Sequence, residues 1–98
     1  SGQTPMDSTT GKIITGDITT QTKQSFKNLF NVLKVAGLTS DDVIKVTVFL
    51  TDMNNFKAMN EIYAQQFISP YPARTTIGVK ELPLGALIEI EMIAKRKP

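Results

Sequence analysis

The amino-acid sequence predicts an α+β two-layer sandwich, a single domain over residues 1–98 with two helices packed on one face of a mixed sheet. Three observations carry that expectation. Two segments repeat apolar residues at spacings of three and four, and each follows an aspartate suited to open a helix. Another segment alternates its side chains strictly, as a strand does, and Gly and Pro residues separate it from its neighbours. Each helical segment offers one apolar stripe, not an apolar surface all round, which suits burial against a single sheet face.

Taken in order, residues 1–16, SGQTPMDSTTGKIITG, read as the end of a strand followed by a loop, because Gly, Ser, Thr and Pro dominate them. Asp17 can accept hydrogen bonds from the open N–H groups of a first helical turn. Behind it Thr22, Phe26, Leu29, Phe30, Leu33 and Ala36 fall on one face, and Gly37 ends the helix. Residues 43–51 form a strand, with Ile44, Val46, Val48 and Leu50 on one side and Val43, Lys45, Thr47, Phe49 and Thr51 on the other. Asp52 repeats the capping logic for a second helix whose buried stripe is Phe56, Met59, Tyr63 and Phe67, closed by Pro70 and Pro72. Residues 73–82 and 87–95 then read as two strands joined by the turn Pro83-Leu84-Gly85-Ala86.

Composition narrows the chemistry. The 98 residues are 41% hydrophobic and 20% charged, and they include no cysteine, histidine or tryptophan. Disulfides, thiolate nucleophiles, zinc-thiolate sites and imidazole bases are therefore excluded, leaving carboxylate, hydroxyl, amine, guanidinium and backbone groups. A net charge of +2 is too small and too dispersed for a nucleic-acid footprint, and the basic run Lys95-Arg96-Lys97 reads as a solvated terminus. No apolar stretch approaches the ~20 residues that span a bilayer, and no signal segment opens the chain, so a cytoplasmic protein without membrane contact is expected. A domain this small has a modest core, which makes surplus apolar surface a pointer to oligomerisation.

That surplus lies on the face the helices leave uncovered. The period of two, applied across the last two strands, assigns Thr75, Ile77, Val79, Ile88, Ile90, Met92 and Ala94 to the helix side. It assigns Arg74, Thr76, Gly78, Lys80, Leu87, Glu89, Glu91 and Ile93, with Val43 and Phe49, to the other side. The second set is too apolar for full solvation and too charged for a dry core, which fits a subunit interface containing polar sites. Pairing Leu82 with Leu87 would set Lys80 opposite Glu89, with Arg74 about 20 Å along the strand from Lys80. Arg74 and Glu89 of one chain could then share a ligand only across an interface. An arginine beside two threonines on such a strand suits a carboxylate fork, against the plainer alternative of a rim salt bridge. Glu89 has its own plain alternative, a cross-strand ion pair with Lys80.

Residues 72–94, PARTTIGVKELPLGALIEIEMIA, resemble the signature of the Rid (reactive intermediate/imine deaminase, or YjgF-like) family. Further pieces of the resemblance run through the chain. They are Ser1-Gly2-Gln3 with Pro5 and Thr10-Gly11, then Gln21, Asn28 and Ala36-Gly37. Val46-Thr47-Val48-Phe49-Leu50-Thr51-Asp52-Met53 follows, with Phe56, Asn60, Tyr63 and Phe67. The resemblance implies a chorismate-mutase-like fold assembled as a homotrimer with interfacial clefts. It implies hydrolysis of reactive enamines and imines, such as 2-aminoacrylate, to 2-oxo acids and ammonia with no metal or organic cofactor, a damage-control reaction.

By the same resemblance Arg74 grips the substrate carboxylate, the Thr76 backbone N–H adds a donor, and Glu89 of a neighbouring subunit positions or deprotonates the attacking water. Gly2 brings backbone close to the ligand, and Asn60 lines the cleft. An imine already activated for hydrolysis needs little beyond orientation and a placed water. Family members carry a further N-terminal segment before the SGQ motif that supplies a first hairpin and one wall of the cleft. This chain starts at Ser1, so a missing N-terminal hairpin and weakened or altered oligomerisation are expected. The same Arg-centred cleft could instead hold a 2-oxo acid or amino acid as a regulatory ligand without catalysis. Ribonuclease action, also attributed to the family, is disfavoured by the absence of histidine and of a basic patch with interleaved aromatics.

Overall fold

The structure, a computed structural model, describes residues 2–96; Ser1 of the SGQ motif and Lys97 of the basic run lie outside the described residues. The elements are β1 (Gly2–Gln3), α1 (Ile18–Val35), β2 (Val43–Leu50), α2 (Phe56–Tyr63), β3 (Ala73–Gly78) and β4 (Ile88–Ala94). Asp17 caps α1 as its position suggests, its carboxylate accepting from the Thr20 N–H at 2.9 Å. Gly37, at φ +76°, turns the chain out of the helix while the Leu38 N–H donates to the Leu33 carbonyl. Asp52 caps a short 3-10 turn, Met53–Asn55, that runs directly into α2. Among the described residues no helix is long and apolar enough to cross a membrane.

Four strands form a mixed sheet in the order β1-β4-β2-β3, with both helices over one face. The core between the layers is built from Phe26, Leu29 and Leu33 of α1, Met59 and Tyr63 of α2, Val46, Val48 and Leu50 of β2, and Ile88, Ile90 and Met92 of β4. Phe26, Phe30, Tyr63 and Phe67 pack edge to face and stacked between the helices, with ring centroids 5.5 to 6.1 Å apart. Two buried or half-buried amides fasten the layers at their ends. Gln21 accepts from the Leu87 N–H and donates to the Gly16 carbonyl, while Asn28 donates to the carbonyls of Thr4 and Met6.

The expected hairpin between the last two strands does not form. β3 runs parallel to β2 on one side, and β4 runs antiparallel to β2 on the other. Having crossed over through α2, the chain re-enters alongside β2 and keeps bonding to it as far as Val79, whose N–H donates to the Leu50 carbonyl. The turn Pro83–Gly85 then carries it past the end of β2 to that strand's other side. Glu89 consequently stands opposite Phe49, and there is no Lys80 pairing. β3 also ends at Gly78, short of Leu82.

Two face assignments change with it. Parallel pairing sets Arg74 beside Val46, Thr76 beside Val48 and Gly78 beside Leu50, so Arg74 and Thr76 share the helix-facing side. Thr75 and Ile77 belong to the uncovered face, where Lys45 Nζ donates to Thr75 Oγ1 at 2.6 Å. In β2, an irregularity between Val43 and Lys45 reverses the alternation at the strand's start. Val43 is buried at 6% exposure and Ile44 is 52% exposed, the opposite of strict alternation. Leu87 packs against the core cluster and leaves the uncovered face to Phe49, Ile77, Ile93 and the charged side chains among them.

Candidate functional site

The five residues singled out from sequence divide into two groups on the two faces of the sheet. On the helix side, Arg74 projects from edge strand β3 toward α2, where its Nη1 donates to Asn60 Oδ1. Its guanidinium carbon lies 4.6 Å from the centroid of the Tyr63 ring and 5.5 Å from that of Phe56. Phe56, Asn60 and Tyr63 reach the same guanidinium because spacings of four and three stack side chains on one side of a helix. Two further strand positions complete this corner. Thr76 is half-buried beside Val48 with its Oγ1 enclosed and unpartnered, and Gly78 packs against Met53, where an added β-carbon would lie 3.1 Å from Cγ.

The second group sits on the uncovered face. Glu89 extends from β4 next to β1, where a β-carbon on Gly2 would lie 3.2 Å from Glu89 Oε2. Arg74 and Glu89 lie on strands flanking β2, opposite Val46 and Phe49 respectively. Their backbones therefore stand about 14 Å apart, and their side chains leave on opposite faces. The structure brings Arg74 to Asn60 and Glu89 to Gly2, and it separates the two pairs.

Electrostatics follow from packing. Burial pushes the Tyr63 phenol above its ordinary value of 10.0, and the positive charge of Arg74 over the ring opposes that shift. Among the described residues no group of three or more His, Cys, Asp or Glu could hold a metal ion.

The sequence profile of the endoribonuclease L-PSP family matches residues 1–96, spanning both groups. The chain belongs to this family, also called the Rid or YjgF family. It is similar to the human 2-iminobutanoate/2-iminopropanoate deaminase, with 44% identity over 98 residues that cover 100% of this chain and 72% of the human protein. A RutC family protein of Pyrococcus horikoshii is 50% identical over 96 residues, 98% of this chain and 76% of that protein. Among solved structures, a Rid family protein of Yersinia pestis superposes with a TM-score of 0.92 at 47% identity, covering 96% of this chain and 75% of that one. TdcF of Escherichia coli, solved with bound serine, gives 0.92 at 41% identity over 99% of this chain and 78% of its own. In this Rid domain the aromatic shelf of Phe56 and Tyr63 was hidden in the sequence because both residues read as core stripe. The signal that could have found it is Asn60, a polar residue set within that stripe.

Proposed function

We propose that the protein is an enamine/imine deaminase that hydrolyses 2-aminoacrylate-type intermediates to 2-oxo acids and ammonia. The observation that carries this reading is Arg74, an exposed residue held at a sheet edge by Asn60 and the Tyr63 ring. A guanidinium so presented is a planar donor for a carboxylate. Relatives at 42 to 44% identity named 2-iminobutanoate/2-iminopropanoate deaminase support the reaction class.

In this mechanism Arg74 fixes the substrate carboxylate and the Thr76 N–H adds a donor. The enamine tautomerises to the imine, a proton leaving nitrogen as another is taken up at C3; water then adds to the imine carbon, its oxygen forming the new C–O bond while the nitrogen takes up a proton. Collapse of the resulting carbinolamine expels ammonia and leaves the 2-oxo acid. Glu89 orients that water and accepts its proton, and it belongs to a neighbouring subunit because within one chain it faces away from Arg74. The assembly is a homotrimer in the cytoplasm, with clefts between subunits. Support comes from the uncovered sheet face, where Ile77 at 41% and Ile93 at 51% exposure flank Phe49, Glu89 and Glu91. The reaction calls for neither metal nor organic cofactor, since orientation and a placed water suffice for an activated imine.

The test couples a pyridoxal-phosphate lyase that releases 2-aminoacrylate to this protein and follows 2-oxo acid formation over the spontaneous rate. Acceleration that Arg74→Ala lowers about a hundredfold supports the reading. A chain that binds 2-oxobutanoate or serine through Arg74 yet never accelerates hydrolysis would instead be a regulatory binding protein, a reading favoured by the serine bound to TdcF.

A further inference from the structure

We infer that Tyr63 is a positioning residue that fixes which edge of the Arg74 guanidinium receives the carboxylate. This rests on the proposal that Arg74 grips a carboxylate. A guanidinium offers two forks, one made by Nε with Nη2 and one by the two terminal nitrogens. Asn60 Oδ1 takes one of the two hydrogens of Nη1, so the terminal fork draws on a nitrogen already engaged, whereas the Nε–Nη2 fork does not use it. The Tyr63 ring, 4.6 Å from the guanidinium carbon, supplies an attractive face that holds the plane, and Phe56 at 5.5 Å adds a second. The plane is thus oriented before any ligand arrives, and little side-chain freedom remains to be lost on binding.

Tyr63 suits this task because it is itself immobile. It is only 8% exposed, lodged against Phe26 and Phe67 in the aromatic cluster, and its hydroxyl has no hydrogen-bond partner. What it presents to Arg74 is therefore ring and not hydroxyl. The chemistry is carried by the π face, so phenylalanine should serve as well as tyrosine and an aliphatic residue should not.

The experiment titrates 2-oxobutanoate into the 15N-labelled protein and follows the Arg74 Nε–Hε resonance, alongside KM and kcat in the lyase-coupled assay. In the wild type Hε should resonate upfield in the free protein from the ring current and move downfield on binding. Tyr63→Leu should weaken binding and raise KM about tenfold with kcat little changed, and Tyr63→Phe should restore both. Asn60→Ala, at a half-buried position, gives a second variant whose folding does not depend on the aromatic cluster; it should free Nη1 and let the terminal nitrogens share the ligand-induced shift. Wild-type binding that Tyr63→Leu leaves intact, or a shift confined to the terminal nitrogens in the wild type, would overturn the inference. Failure of the underlying reading looks different: the wild type itself then shows no Arg74 response to 2-oxobutanoate, and the inference falls with it.

Discussion

Gly2 and Glu89 are diagonal neighbours across the β1–β4 pair, and the Glu89 carboxylate lies close to the strand where Gly2 has no side chain. Gly2 registers with Glu91, one step away on the same face, and a β-carbon at Gly2 would meet Glu89 Oε2 at 3.2 Å. The glycine therefore sets where the carboxylate rests.

Gly2→Ala tests that relationship. The neighbour that must give way is the end of a flexible side chain, so the fold should tolerate the change while Glu89 shifts. In the proposed deaminase reaction, where Glu89 orients the water, kcat should fall roughly tenfold with the melting temperature nearly unchanged, since small misplacements of such a group are costly. Steady-state kinetics beside a thermal melt would check both halves of the statement.

Gln21→Ala should cost about 1–3 kcal/mol in urea unfolding. Gln21 is buried, and its removal leaves the Leu87 N–H and the Gly16 carbonyl without that partner. Because Leu87 immediately precedes β4, a loss of turnover larger than the loss of stability would show that the amide also sets the height of Glu89.

Tyr63→Phe should stabilise the domain by on the order of 1 kcal/mol at neutral pH, since it deletes a buried hydroxyl that has no partner. It should also change the alkaline limb of the stability curve. The folded-state phenol titrates above 10.0, so the wild-type contribution is complete below pH 10.0 and is lost as the pH rises through the raised value. Denaturant midpoints measured on both sides of pH 10.0 should fall less steeply for the variant.

Leu84→Asn should add about 1 kcal/mol. Leu84 sits at φ 58° and ψ 25°, a left-handed conformation that a leucine adopts at a cost and an asparagine tolerates, and it is largely exposed so little burial is lost. Chemical denaturation of the two proteins side by side would settle it.

The helices and the core of the sheet were legible because their signals are local. Asp17, Gly37 and the stripes through Phe26 and Met59 act within a turn or two of chain, and the structure has them as expected except that α2 ends at Tyr63, leaving Phe67 to pack on the core from beyond the helix. Strand neighbours are not local. Nothing in residues 73–95 announces that β3 pairs with β2 and that β4 passes to the other side, because parallel pairing depends on a crossover through α2. From that error followed the face of Arg74, which the period of two placed opposite to where parallel registry puts it. The bulge at Val43 is likewise invisible to a pattern rule that counts residues without counting hydrogen bonds. Arg74 and Glu89 stood out from the strand pattern, Gly2, Asn60 and the role of Thr76 came from the resemblance, and the structure adds which of them meet.

The central place of β2 has a consequence for biosynthesis. β2 receives one neighbour from residues 73–78 and the other from residues 88–94, and β4 follows every other described element in the chain. While the nascent polypeptide is still emerging, α1, β2, α2 and β3 can gather, yet the β4 side of β2 remains an open hydrogen-bonding edge and Ile88, Ile90 and Met92 are missing from beneath the helices. A chain cut short before Ile88 and released would therefore be a sticky species whose bare edge is a template for strands of other chains. The strand that completes the layer is also the one that delivers Glu89, so maturation of the fold and arrival of the acid are a single late event.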